Sequence, residues 1–150
     1  MKKERKKKVL VLTEVFHPEN FLINDLARQW EKDGYDFEVL TRAPSYPYGK
    51  VYEGYKNRIY QTTFFNTIKI HRFLVLQGYQ RSVFIKILNY FSFVFWSVCI
   101  VLFIGRRFDR VFIFQTGPLT LATAGILMKK LFGAKVTIWT QDLWPETVYA

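Results

Sequence analysis

The chain has 150 residues, half of them hydrophobic, and a formal net charge of +10. A chain of this length can bury a core without a disulfide or metal. The single Cys99 excludes an internal disulfide framework and any zinc site built from several cysteines. With only two histidines, we expect no metal centre. An aromatic content of 19% argues against intrinsic disorder, so the chain is expected to form one globular domain.

The positive charge is concentrated at the start of the chain, where residues 1–8 form a basic tail with six lysines and arginines. Such a tail is either a solvated segment or a binding segment for an anionic partner. The apolar run that follows, residues 9–12, stops at Thr13 and Glu14 with no small-residue cleavage site after it. The start therefore does not resemble a signal peptide, and we expect a cytoplasmic protein.

The first elements have the pattern of a β-α-β unit. Residues 9–13 are a short apolar run typical of a strand buried on both faces. A helix should follow, with Asn20 as its N-cap and Gly34 at its left-handed C-terminal position. Residues 37–41 then form a second strand.

The middle of the chain predicts a long loop and a hairpin. Residues 42–57 are rich in proline, glycine and tyrosine, and long loops in compact domains are commonly binding loops. Residues 59–65 and 68–75 are rich in β-forming residues and are separated by only two residues, which predicts an antiparallel hairpin. His71 is expected to be half-exposed on the second of these strands.

Residues 82–104 form the most apolar segment of the sequence, with no charged residue after Lys86. Three arrangements fit a helix of this kind: packed on the sheet with its outer face on a membrane surface, wholly buried in the core, or spanning a bilayer. We favour the first, because the aromatic residues exceed what one sheet-facing stripe needs. A membrane span would also separate strands that should share a sheet.

The last elements repeat the strand-helix-strand pattern. Residues 110–115 form a strand, residues 116–132 are expected to form a helix that Pro118 opens and Gly133 ends, and residues 135–140 form a strand. The predicted fold is therefore α/β, a doubly wound and mostly parallel Rossmann-like sheet.

Ligands of doubly wound sheets bind at the carboxyl ends of the strands, so four loops are expected to meet at one crevice. These loops follow the strands that end near residues 13, 41, 115 and 140. The first loop contains no glycine, which excludes a dinucleotide fingerprint or a phosphate-binding P-loop there. The acidic Glu14 and Glu19 in that loop favour a hydroxyl-rich ligand such as a sugar.

The polar residues at these strand ends have structural alternatives. Asp142 either caps the turn before Pro145 or binds ligand hydroxyls, and His17 is either a surface loop residue or a ligand-binding one. Cys99 lies within the apolar segment, so covalent catalysis has no support. The cations of residues 50–86, beside that apolar segment, favour an anionic membrane surface over nucleic acid as a partner.

Several segments together resemble the N-terminal half of a family 4 glycosyltransferase of the GT-B fold, in the bacterial surface-polysaccharide group typified by fucosamine transferases. The strings Pro-Glu-Asn-Phe at 18–21 and Gln-Asp-Leu-Trp-Pro-Glu at 141–146 are the most specific. The resembling segments are residues 9–27, 39–50, 88–93, 117–120 and 141–146.

The resemblance implies a retaining enzyme that transfers a sugar from a nucleotide sugar, as co-substrate, to a polyprenyl-linked or glycan acceptor, without a metal or other cofactor. It implies that residues 9–150 are the acceptor-binding domain of a peripheral protein at the inner membrane face. The donor-binding domain of the family, with its pair of glutamates, would be missing or on a separate chain. The 150 residues alone are therefore expected to transfer no sugar.

The resemblance also assigns candidate residues by position. Asp142 would face the interdomain cleft and is the candidate catalytic residue. Many relatives carry a histidine where this chain has Gln115 and Thr116, so no catalytic role transfers to that point. The candidate substrate-binding residues are Glu14, His17, Glu19, Asn20, Arg42, Ser45, Tyr46, Tyr48, Thr116, Gly117 and Glu146.

Overall fold

The computed structural model describes residues 6–141. Within this range the chain alternates strands and helices around one sheet. The elements, in chain order, are β1 (Lys8–Thr13), α1 (Leu22–Lys32), β2 (Asp36–Arg42), β3 (Tyr60–Phe65), β4 (Ile68–Phe73), α2 (Val83–Ile104), β5 (Arg110–Gln115), α3 (Thr123–Phe132) and β6 (Lys135–Thr140).

The six strands form one sheet in the order β3-β4-β2-β1-β5-β6. All neighbours run parallel except β3, which pairs antiparallel with β4 at one edge. Strand order reverses at β1, the point where a doubly wound sheet opens its ligand crevice. The predicted fold class, a mostly parallel Rossmann-like α/β sheet, is confirmed.

Helices cover both faces of the sheet. Leu10 and Leu12 of β1 pack into a core with α2 and α3, whereas Val11, between them, packs into a second core with α1. Because successive side chains of a strand point to opposite faces, a strand with helices on both sides must be apolar throughout. This explains the unbroken apolar run that begins the sequence.

The prediction that Asn20 caps the first helix is wrong. The helix begins at Leu22, its N-cap is Phe21, and no side chain caps it. Asn24 instead stabilises the preceding turn, since its amide nitrogen donates to the Glu19 carbonyl (2.6 Å) and its amide oxygen accepts from the His17 backbone N–H (2.9 Å). Gly34 follows the helix with φ +75°, as predicted.

The helix expected over 116–132 begins later than predicted. A 3-10 helix, Leu119–Ala122, follows Pro118, and α3 begins only at Thr123. Gly133 ends α3 in the left-handed conformation, as expected. Gly125 brings α3 close to β5, because a Cβ there would lie only 2.7 Å from Cδ1 of Ile113.

The predicted hairpin forms, and Asn66 supplies the positive φ (53°) that its turn requires without a glycine. The prediction of a half-exposed His71 is wrong, since the side chain is 1% exposed. Its Nε2 lies 2.6 Å from Oε2 of Glu38, and its Nδ1 lies 2.5 Å from the Tyr60 hydroxyl. A buried polar group needs hydrogen-bond partners. The alternation of polar and apolar residues along a strand does not show whether such partners exist, so the burial of His71 could not be predicted from it.

Helix α2 is apolar on its exposed side as well as its buried side. Phe93 and Val101 face the core, whereas Phe91 and Phe103 are 66% and 88% exposed. Residues Val83–Arg107 are long and apolar enough to cross a membrane by length and composition, and 28% of the apolar window is buried. Within the described residues α2 is thus not a wholly buried core helix, and the strands before and after it share one sheet.

Candidate functional site

A cavity of about 960 Å³ lies at the carboxyl ends of the parallel strands. All four predicted strand-end loops contribute to it, and a further wall comes from residues 79–82 and the start of α2. Its lining comprises Glu14, Val15, Asn20, Phe21, Leu22, Arg42, Tyr46, Tyr79, Gln80, Ser82, Val83, Lys86, Asn89, Tyr90, Phe114, Thr116, Gly117 and Gln141.

Glu14 is the acidic residue among the described residues that line the cavity, and it is 6% exposed. Burial raises the pKa of its carboxyl, the charge of Arg42 lowers it in part, and Glu19 raises it further. A carboxyl with a raised pKa is protonated more often near neutral pH, so it can donate as well as accept a hydrogen bond. Both abilities suit recognition of a ligand hydroxyl.

Gly117 makes room for that carboxyl. A Cβ at position 117 would lie 2.7 Å from Oε2 of Glu14, closer than real Cβ contacts come. A side chain at position 117 would therefore force the Glu14 carboxylate to move. The absence of a side chain at 117 lets this carboxylate of the loop after β1 lie close to the loop after β5.

Gln115 connects the loops after β5 and β6. Its amide nitrogen donates to the Gly117 carbonyl (2.8 Å), and its amide oxygen accepts from the Thr140 hydroxyl (3.1 Å). Its backbone carbonyl accepts from the N–H of Gln141 (2.9 Å). Where the resembling family often has a histidine, this chain therefore has a buried amide that positions the cavity wall.

Glu19 lies behind the cavity wall and does not line it. Its Oε1 accepts from the backbone N–H groups of Ser45 (2.8 Å) and Tyr46 (2.7 Å), and its Oε2 accepts from that of Phe16 (3.2 Å). Burial raises the pKa of this carboxyl, and these hydrogen bonds partly lower it again. The carboxylate thus joins the loop after β1 to the loop after β2.

Three other candidate residues also lie outside the cavity lining. His17 stacks on Phe65 with ring centroids 4.2 Å apart, and burial lowers the pKa of its imidazole. Tyr48 is 72% exposed, and Ser45 is buried behind the loop. Asn20, Arg42, Tyr46, Thr116 and Gly117 do line the cavity, together with Glu14.

The wall that sequence reasoning missed is the start of α2. Lys86, Asn89 and Tyr90 line the cavity, at the spacing that places residues on one face of a helix. Asn89 also accepts a hydrogen bond from the Leu76 N–H (3.3 Å), and burial raises the pKa of the Tyr90 hydroxyl. An isolated lysine and asparagine at this spacing, in an otherwise apolar helix, were the signal in the sequence.

The candidate catalytic Asp142 and the candidate Glu146 lie outside the described residues. Gln141, immediately before Asp142, lines the cavity. Among residues 6–141, no group of three or more histidine, cysteine or acidic side chains could hold a metal ion. In the described part of the chain, the cavity therefore presents carboxyl, amide, hydroxyl and cationic groups.

No protein-family model matches the chain, and no curated protein matches it significantly. The class of protein is therefore defined by its fold and cavity. It is a Rossmann-like α/β protein with a polar cavity at the switch point of the sheet, next to an exposed apolar helix.

Proposed function

We propose that the chain is the acceptor-side part of a retaining glycosyltransferase. It receives a lipid-linked or polysaccharide acceptor, onto which a sugar is transferred from a nucleotide sugar in surface polysaccharide synthesis. The observation that carries this proposal is the strand-end cavity, whose hydroxyl-binding side chains lie next to an apolar helix face. The cavity volume is that of a small-molecule site.

The polar lining suits a carbohydrate. Glu14, Asn20, Thr116 and Gln141 come from three different loops and offer donors and acceptors around one space. Several hydroxyls of one sugar ring can therefore be bound at once, which is how a polar site selects among similar ligands. Tyr46, 46% exposed at the cavity, adds a flat aromatic surface beside these groups.

The apolar side of α2 suits the lipid part of such an acceptor and the membrane that holds it. Val83 lines the cavity, and Phe84, one residue further on, is 67% exposed. Exposed apolar residues of this size on one helix, with Arg106 and Arg107 at its end, favour an interfacial position on an anionic leaflet. The proposed localisation is thus the cytoplasmic face of the membrane.

The donor side of the reaction is assigned to a second domain, in the same polypeptide or on a separate chain. The loop between β1 and α1 contains no glycine that would let backbone N–H groups approach a diphosphate. Asp142 follows β6 and is the proposed catalytic residue at the cleft between the two parts.

The second candidate is a non-catalytic membrane-surface protein, which the exposed face of α2 also favours. The two candidates differ in whether the cavity is needed. Binding to anionic vesicles is expected of both, whereas only the glycosyltransferase needs the carboxyl group of Glu14.

Sugar transfer in an enzyme reconstituted with its donor-binding part tests the proposal. Glu14→Gln removes the carboxyl group while it keeps the size of the side chain, and it should lower transfer at least tenfold with vesicle binding unchanged. Glu53→Gln is the matched control, because Glu53 is exposed outside this cavity. Unchanged transfer in Glu14→Gln would contradict the site assignment.

A further inference from the structure

Several buried polar atoms of Arg42 and of residues near it have no hydrogen-bond partner. Among the described residues they are Oγ1 of Thr41, Nε and Nη1 of Arg42, Oγ of Ser45 and the hydroxyl of Tyr79. Buried polar groups in proteins nearly always have a partner. Arg42 and Tyr79, two residues of this cluster, also line the cavity, so a buried cation without an internal partner lies beside the space that a ligand would occupy.

Arg42 is the central member of this cluster. It is 5% exposed, lines the cavity, and its guanidinium lies over the ring of Tyr79 at 5.3 Å. A cation over an aromatic ring is attracted to it, but this attraction does not replace the hydrogen bonds that the guanidinium N–H groups can make. Burying a charge without such bonds is unfavourable, so the position is poorly explained by stability alone.

The two carboxylates near Arg42 do not form ion pairs with its guanidinium. Glu19 uses both of its oxygens for backbone N–H groups of the two loops. Glu14 is near enough for Arg42 to lower the pKa of its carboxyl, although burial raises that pKa more. Within the described residues, no ion pair within 4.0 Å joins Arg42 to either carboxylate.

A second cation lines the same cavity. Lys86, near the start of α2, is exposed and belongs to the cavity lining together with Arg42 and Tyr79. The three side chains offer a planar guanidinium, an ammonium and a phenolic O–H. Donors of this kind, two of them positively charged, match the several oxygens of a phosphate better than the two oxygens of a carboxylate.

We propose that Arg42, Tyr79 and Lys86 form an oxyanion subsite that binds a phosphate or diphosphate group inside the cavity. Only the identity of the molecule that carries this group rests on the proposed function. A diphosphate could arrive on a lipid, whose chain would lie along the exposed Phe84 and Ile87 of α2, or on a nucleotide sugar.

Titration calorimetry with inorganic pyrophosphate tests the subsite in the purified protein. Arg42→Met should weaken binding at least tenfold and Lys86→Met about threefold, whereas the control Lys32→Met should leave it unchanged. Lys32 is exposed in the last turn of α1, just before β2 begins, at the end of the sheet away from the carboxyl ends of the strands. Because Arg42 is buried without hydrogen-bonding partners, the melting temperature of Arg42→Met should equal or exceed that of the wild type.

Three results would overturn the subsite. The first is equal pyrophosphate affinity in Arg42→Met and the wild type. The second is a lowered melting temperature in Arg42→Met together with full binding in Arg42→Lys, which would make Arg42 a structural residue. The third is binding of glucuronate but not of pyrophosphate, since the ligand group would then be a carboxylate.

Two further titrations identify the carrier. The affinities of farnesyl diphosphate in detergent and of a nucleotide sugar are each compared with that of pyrophosphate. The one of the two that binds more tightly is the carrier of the diphosphate group. Pyrophosphate binding through Arg42 without sugar transfer in the reconstituted enzyme would leave the subsite and remove the proposed function. If Arg42→Met leaves both sugar transfer and pyrophosphate binding unchanged, the subsite is refuted and the proposed function remains.

Discussion

The carboxylate of Glu14 occupies the space that a side chain at Gly117 would fill, with Oε2 2.7 Å from the position of a Cβ there. Two strand-end loops thus meet through one buried carboxyl and one missing side chain. Even a single methyl group at position 117 is therefore expected to disturb the cavity wall.

Gly117→Ala is expected to displace Glu14 and to weaken ligand binding at the cavity at least tenfold. The backbone at 117 does not require glycine, so the change acts through the contact, and we expect a loss of about 1–2 kcal/mol in the free energy of unfolding. Calorimetric titration with the acceptor and urea unfolding measure the two effects.

Gly54→Ala is the control for this experiment. Gly54 has φ +81° and open space around it, so alanine there strains the backbone without touching the cavity. It should lower stability by about 1 kcal/mol and leave binding unchanged. Equal binding in the wild type and Gly117→Ala would contradict the described contact.

Glu19 is expected to matter for stability rather than for chemistry. Glu19→Ala leaves three backbone N–H groups of two loops without their acceptor, two of them buried and one partly buried, which should lower the free energy of unfolding by about 2–4 kcal/mol. Glu19→Gln keeps one acceptor oxygen and should cost about half as much. Chemical denaturation checks both values, and a stable Glu19→Ala variant would refute the role.

The buried Glu38 and His71 pair predicts a loss of stability at acidic pH. Burial lowers the pKa of His71, although the hydrogen bond to Glu38 partly raises it, so protonation below about pH 6.5 opposes folding. Burial alone would raise the pKa of Glu38, but hydrogen bonds from His71 and Lys8 lower it overall. Its contribution is therefore present above about pH 4.5 and lost as pH falls further.

Glu14 and Glu19 act in the opposite direction, because their raised pKa values favour folding when protonated. The substitution His71→Gln separates the contribution of His71 to the pH dependence of stability from the contributions of Glu14 and Glu19. It should lower stability by about 1–2 kcal/mol at pH 7.5 and flatten the fall in melting temperature between pH 7 and pH 5.5. His17→Gln is the control, with a smaller effect on the slope because His17 is less buried. An unchanged slope in His71→Gln would contradict the assignment.

The exposed face of α2 predicts how the protein meets a membrane. The double substitution Phe91→Ser and Phe103→Ser should leave the melting temperature nearly unchanged and reduce binding to anionic vesicles at least tenfold, since each side chain contributes about 1–2 kcal/mol of apolar burial. Phe64→Ser, an equally exposed phenylalanine on the edge strand β3, is the matched control. Vesicle flotation measures the effect, and full binding by the double variant would refute this orientation.

Much of the fold follows from local patterns in the sequence. The bounds of β5 and β6 agree with the predicted ones because short apolar runs between turn-forming residues leave little choice. The start of α1 was misplaced, since Asn20 has the right residue type for a cap but Asn24 makes the stabilising hydrogen bonds. Which of two nearby asparagines is used depends on the path of the loop, which no periodicity encodes.

The position of the candidate site could be predicted from the sequence, but not which of its residues line the cavity and which hold the loops together. Parallel strands fix where their loops meet, which brings Glu14, Arg42 and Gly117 to one cavity. That Glu19 lies behind the wall and joins two loops is a tertiary result, because its partners are backbone groups 26 and 27 residues away. Lys86 and Asn89 were not predicted as cavity residues, because the largely apolar sequence of α2 indicates packing or membrane contact and not a polar site.

If the cavity binds the acceptor, calorimetric titration with a short-chain prenyl-diphosphate-linked sugar should detect one binding site per chain. Glu14→Gln should weaken this binding at least tenfold, and Glu53→Gln should leave it unchanged. If Glu14→Gln leaves binding intact and the double substitution on the exposed face of α2 abolishes it, the cavity does not bind the acceptor and the protein is a membrane-surface protein instead.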